Sequence, residues 1–199
     1  MNENIIIDNL KVKFGNCILR RLNESEEEMI VKNISCFNSF ENYSLALLSE
    51  AVEITINGNS SYLLLLNLQT TIKGVRIPQY ESTISDYELI GLAVLKKKYG
   101  RVLIKPETLE DKINDLFSHV EIDFDFDKEF SKKYYVIATN ESLFRNSIST
   151  QFIETIRDVK GLEIEINDNI LIVRLRKQFT PENGEIIATF LTGINNGHN

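Results

Sequence analysis

Four carboxylates recur at every second position of His119-Val-Glu-Ile-Asp-Phe-Asp-Phe-Asp-Lys-Glu129, namely Glu121, Asp123, Asp125 and Asp127. Val120, Ile122, Phe124 and Phe126 lie between them. A strand repeats every two residues, so the pattern predicts one apolar face and one face lined by the four acids. Such a face offers oxygen ligands to a cation or negative charge to a basic partner. Asp123, Asp125 and Asp127 also match the first three ligand positions of a calcium loop. The match ends at Lys128, where the loop needs glycine, and at Tyr134, where it needs a bidentate glutamate. No metal site is assigned. Two readings stay open: the solvated outer side of a half-buried strand, and an acidic surface for another protein.

The remaining reactive residues are few. His119 falls between the end of an apolar helical pattern and this strand, where a histidine can bond the last helical carbonyls or serve as a base. His198 lies in the polar tail. Cys17 and Cys36 read as free, small hydrophobic residues, since neither has a histidine near it in sequence. Lys96-Lys97-Lys98-Tyr99-Gly100-Arg101 is a basic run at an expected hairpin tip. It suits an anion contact or a charged tip that resists edge pairing. No phosphate loop, nucleophile elbow, zinc-protease or dinucleotide motif is present. Two acids meeting across a fold leave no spacing rule, so a carboxylate-dependent hydrolase is the alternative to a binding role.

The composition narrows the classes. The 199 residues include 29 acids and 22 bases, a formal charge of −7, with two cysteines and two histidines. Two cysteines exclude a four-cysteine zinc site and a disulfide scaffold. The acidic balance argues against nucleic acid, whose phosphates call for clustered Lys and Arg. The acidity is local. Residues 24–28 hold four acids and residues 121–129 hold five; the rest of the chain carries 20 acids and 21 bases. The longest apolar stretch, Leu89 to Leu95, is far short of the ~20 residues that span a bilayer. Residues 1–8 lack the basic region of a signal peptide. The expectation is a cytoplasmic protein without a membrane span and without a cofactor.

Turn and capping residues predict the elements. Asn57-Gly58 predicts a hairpin between Leu45–Ile56 and Tyr62–Leu68. Asn167-Asp168-Asn169 predicts another, between a strand over 162–166 with Glu163 and Glu165 outward and a more apolar strand over 170–175 covered on both faces. Tyr99-Gly100 predicts a third, joining 89–97 to 101–104. One helix is expected from Pro106 through Phe117, and a second over 142–160 with the stripe Phe144, Ile148, Phe152, Ile156 and Val159, ending at Gly161. The third opens at Thr180-Pro181-Glu182 and carries Ile187, Phe190, Leu191 and Ile194. Glu24 to Glu28 suits a solvated loop or a helix start. The fold class is α+β: a predominantly antiparallel sheet with about three helices on one face, and ββα units in the C-terminal half. The chain reads as one domain over 1–199, or as two intimate subdomains, 1–85 and 86–197, meeting near the polar stretch 79–87.

Leu47-Leu-Ser-Glu-Ala51, Ile72-Lys-Gly74, Tyr99-Gly-Arg-Val102, Asp127-Lys-Glu-Phe130, Lys133-Tyr-Tyr-Val136, Phe152-Ile153, Asn169-Ile-Leu-Ile-Val173 and Phe179 form a further pattern. From about Tyr43 to Phe179 it resembles the soluble part of a bacterial domain family of unknown function, whose members often carry membrane-spanning segments upstream. The resemblance implies an α+β fold and brings no activity, cofactor or site residue. The functional expectation is a non-catalytic binding or protein-interaction domain, an acidic partner of a basic protein.

Overall fold

Asn57 and Gly58 have φ of 51° and 76°, the left-handed pair a two-residue hairpin turn requires. They join two long strands near one side of an eight-stranded sheet. The computed structural model describes residues 18–41, 43, 45–73, 81–106, 122, 124, 127–175 and 180–197. Its elements are β1 (Ile18–Arg21), α1 (Glu24–Ile34), a 3-10 turn (Asn38–Phe40), β2 (Leu45–Ile56), β3 (Asn59–Lys73) and β4 (Glu81–Val94). There follow β5 (Arg101–Pro106), α2 (Lys128–Lys133), β6 (Tyr134–Ala138), α3 (Glu141–Ser147), α4 (Thr150–Arg157), β7 (Leu162–Asn167), β8 (Ile170–Leu175) and α5 (Pro181–Gly197). The strand order is β1-β2-β3-β4-β8-β7-β5-β6, and every described pairing is antiparallel. The α+β class and the mainly antiparallel sheet are as the sequence predicts.

The β7–β8 hairpin turns at Asp168, with φ 56°. Tyr99-Gly100 does not form a hairpin. Strands β4 and β5 are not neighbours; the β7–β8 hairpin lies between them. Residues 95–100 instead arch over its tip. Leu95 N–H donates to Asn169 O at 2.7 Å, Tyr99 N–H to Asp168 O at 2.8 Å, and Asp168 N–H to Gly100 O at 2.9 Å. The two strands that Asn167-Asp168 joins therefore supply the pairing that a local hairpin would have supplied.

Each sheet face has its own core. On one, Leu63, Val102, Ile104, Ile164, Leu171 and Val173 meet Phe144, Phe152, Ile156, Ile187, Phe190 and Leu191 of the helices. On the other, Leu64, Leu66, Leu68, Ile90, Leu92 and Ile172 lie under Ile30, Ile34, Phe37 and Phe40. The helices are thus not confined to one face: α1 and the 3-10 turn cover the second. Strand β8 is covered on both sides, as its continuous apolar run predicts. Gly91 permits the close approach of α5, because a Cβ there would stand 2.6 Å from Ile187 Cγ2 and 2.7 Å from Val173 Cγ1.

The expected helix over 142–160 is two helices. Ile148 and Ser149 are extended, and the Ser149 hydroxyl caps α4 by accepting from Phe152 N–H at 3.1 Å. The break seats both Phe144 and Phe152 on Tyr99, with ring centroids 6.2 and 6.0 Å away. A straight helix would carry Phe152 past that ring. The expected helix after Pro106 lies outside the described residues. The described part of the polar stretch 79–87 is the start of β4, paired with β3 from Lys73↔Glu81 onward.

Candidate functional site

Three of the four predicted surface acids, Glu121, Asp123 and Asp125, lie outside the described residues. Between them Ile122 and Phe124 are buried, and Ile122 N–H donates to Val136 O on β6 at 2.9 Å. Asp127 is described, and it is buried. It caps α2, accepting from Phe130 N–H at 2.9 Å, while its other oxygen takes Arg157 Nη1 at 2.8 Å. Its carboxylate is spent on a helix end and an arginine.

Two acids given an outward place by the alternation of β7 are buried as well. Glu165 accepts from the backbone N–H groups of Asn38 and Ser39 at 2.9 and 3.1 Å, and from the Ser39 hydroxyl at 2.8 Å. Glu163 accepts from Arg174 Nη2 at 2.5 Å, and Arg174 Nη1 reaches Glu88 at 3.0 Å. The pair follows from register, since Glu163 stands directly opposite Arg174 on β8. Burial works against the Arg174 charge, but Glu88 and Glu163 outweigh it and hold the guanidinium above its ordinary value. Burial, then Glu88, raises the Tyr43 phenol beside this cluster. The segment after α1 closes over this face, which periodicity within β7 cannot reveal. The signal for it was Phe37 and Phe40, apolar residues flanking Asn38 and Ser39, whose N–H groups needed acceptors.

At the opposite acidic stretch, Glu24 to Glu28 opens α1. Asn23 accepts from Glu26 N–H at 3.1 Å and Glu26 returns the bond to Asn23 N–H at 2.9 Å, a capping box. Arg20 clamps the Glu26 carboxylate at 2.7 Å and also pairs with Glu53. The Arg20 bonds, then the Asn23 N–H, draw Glu26 from the ordinary 4.5 down to about 2. Glu24, Glu28 and Met29 remain exposed.

The basic run belongs to the arch over the hairpin, not to a hairpin tip. Lys96, Lys97 and Lys98 are exposed. Lys97 Nζ reaches Ser147 O at 3.4 Å, where the C-terminus of α3 favours a cation, and Lys98 lies 4.0 Å from Asp168. Cys36 is free, as expected, and exposed, with its Sγ donating to Asn33 O at 2.8 Å. Cys17, His119 and His198 lie outside the described residues. A cleft of about 10 Å³ between Asn59, Lys96 and Asn195 has room for a single water. Among the described residues no three His, Cys, Asp or Glu side chains gather as a metal site would require. None of the described helices is long and apolar enough to cross a membrane.

One further surface stands apart. Residues 83–87 of β4 are all exposed. Leu47, Asn67 and Tyr87 form one cross-strand row there.

No family model matches the chain, and no curated protein matches it. Among solved structures it is similar to the mycobacterial trehalose monomycolate transport factor A, TtfA. The TM-score is 0.52 at 10% identity, over 98% of this chain and 94% of that one. At that identity the likeness shows a shared fold over nearly the whole of both chains.

Proposed function

We propose that this chain is a non-catalytic binding module that contacts another protein, its acidic surface meeting a basic partner. The fate of the described buried acids carries this reading. Asp127, Glu163 and Glu165 each have their oxygens taken by an arginine or by N–H donors, which suits fold-holding better than proton transfer. Acidic groups that stay open to a partner include Glu24 and Glu28 on α1. The sequence adds Glu121, Asp123 and Asp125. The protein of similar fold is named a transport factor, and a binding role beside a transport process is compatible with that name. The resemblance to the bacterial domain family belongs to the same reading, as does a cytoplasmic location.

The test is to isolate a partner by crosslinking in cells and to measure its binding to the purified chain as salt rises from about 0.05 to 0.5 M. Affinity is expected to fall steeply, because exposed charges are screened beyond ~10 Å at 0.1 M. Glu24→Lys with Glu28→Lys is expected to weaken it further. Binding indifferent to salt and to charge reversal would overturn the reading. So would hydrolytic turnover by the chain that Glu163→Gln abolishes.

A further inference from the structure

Asn-Gly occurs three times, at Asn57-Gly58, Asn183-Gly184 and Asn196-Gly197. The dipeptide carries its own reaction. Glycine has no side chain to shield its amide nitrogen, so that nitrogen can close on the carboxamide carbon of the preceding asparagine. The fold treats the first two sites differently. Gly58 is exposed, lies beyond the last ladder pair Ile56↔Asn59, and a Cβ added to it would meet nothing within 4 Å. Gly184 is buried in the first turn of α5, where its N–H donates to Thr180 O at 3.2 Å. Asn183 N–H donates to Thr180 Oγ1 at 3.3 Å. The side chain of Asn196 lies outside the described residues.

Ring closure swings the peptide after the asparagine out of its folded conformation, so the local structure has to open first. At Asn57, with φ 51°, the opening undoes the exposed tip of one hairpin. At Asn183 it undoes the start of a helix whose Ile187, Phe190 and Leu191 belong to the core. Opening costs little where few apolar contacts are lost, and approaches the cost of global unfolding in a packed helix.

We propose that Asn57 is a site of spontaneous deamidation, with water as the co-reactant. The Gly58 nitrogen bonds to Asn57 Cγ, the Cγ–Nδ2 bond breaks, and ammonia leaves with the proton that Gly58 gave up. Water then opens the cyclic imide at one carbonyl or the other, leaving aspartate or isoaspartate, each with a new negative charge. The two products differ in consequence. Aspartate keeps the backbone, and the chain already holds a left-handed aspartate at Asp168, φ 56°. Isoaspartate routes the backbone through Cγ. That adds a carbon to a two-residue turn, which then no longer fits the Ile56↔Asn59 register. This end of the hairpin also meets the end of α5. Asn59 Nδ2 donates to Asn195 O at 3.4 Å, and Asn195 Nδ2 to Ser61 Oγ at 2.8 Å. The isoaspartyl form therefore loosens the hairpin end and its hold on α5 together.

The purified full chain is aged in mildly alkaline buffer, and both asparagines are followed by peptide mass spectrometry and isoaspartyl methyltransferase labelling. Conversion at Asn57 is expected to be at least about tenfold faster than at Asn183. In urea, where both sites are open, the two rates are expected to converge. Amide exchange in the aged protein is expected to quicken at Asn59, Ser61 and Asn195. Asn57→Asp, which adds the charge without the extra carbon, is expected to leave exchange there unchanged. An Asn183 that keeps pace with Asn57 in the folded chain overturns the proposal. So does an Asn57 that stays intact while the unfolded chain converts. A rate ratio that survives urea refutes the account by local opening. Exchange that quickens as much in Asn57→Asp as in the aged protein refutes the role given to isoaspartate.

Discussion

Asp127 and Glu26 do the same work at two helix starts. Each takes an N-terminal amide of its helix and an arginine from elsewhere in the fold, so each converts a charge that looked free into a fastening. The consequence for Glu26 is a pH effect with a definite sign. Its folded value is depressed to about 2 from the ordinary 4.5, so the stabilisation is present above about pH 4.5 and is lost as pH falls through about 2. Acidification across that window is expected to fray the first turn of α1, read as faster amide exchange at Asn23. Glu26→Gln, which retains a weaker box without the charge, is expected to flatten the response. Because Glu26 is partly exposed, added salt should shrink it. The outward assignment of Glu163 and Glu165 failed for a related reason. Alternation tells which face of a strand a residue occupies, and it cannot tell whether a segment 120 residues earlier returns to cover that face.

At the scale of elements, turns and caps were the legible part. Asn57-Gly58, Asp168 and Thr180-Pro181 each impose a local backbone geometry that no distant contact has to supply, and all three stand where the sequence puts them. The single helix over 142–160 was misread because its apolar stripe is continuous through the break. Ser149 is a good cap, but a cap inside an apolar stripe carries no weight until Tyr99 is known to need both Phe144 and Phe152. Gly91 makes the helix-to-sheet contact testable. Gly91→Ala places a methyl within 2.9 Å of Ile187, Val173 and Leu191, too close for side chains buried on every side. The expected cost is about 1–3 kcal/mol, as for other overpacked cores. Chemical denaturation should show it as a lower midpoint with an unchanged slope. Trimming the opposing side chain in Gly91→Ala with Ile187→Val should recover part of the loss.

Across the whole molecule, one sheet joins the strand-rich first part of the chain to the helical second part. Strand β4 bonds β3 on one side and β8 on the other, so the two halves share a strand pair and both cores lean on it. Urea unfolding is therefore expected to give one transition, with the same midpoint by far-ultraviolet circular dichroism and by tyrosine fluorescence. Separated midpoints would mark 1–85 and 86–197 as independent units. The candidate acidic face was legible in the sequence only as a pattern. Asp127, its one described member, turned out to be a cap, because a helix begins at the next residue. The arch of residues 95–100 carries a last consequence, one of order in time. Strands β4 and β5 leave the ribosome with a vacant lane between them, and the hairpin that fills it is translated some sixty residues later. Until then neither strand has the partner that bridges them, so the sheet closes only after Asp168 has emerged beneath the arch.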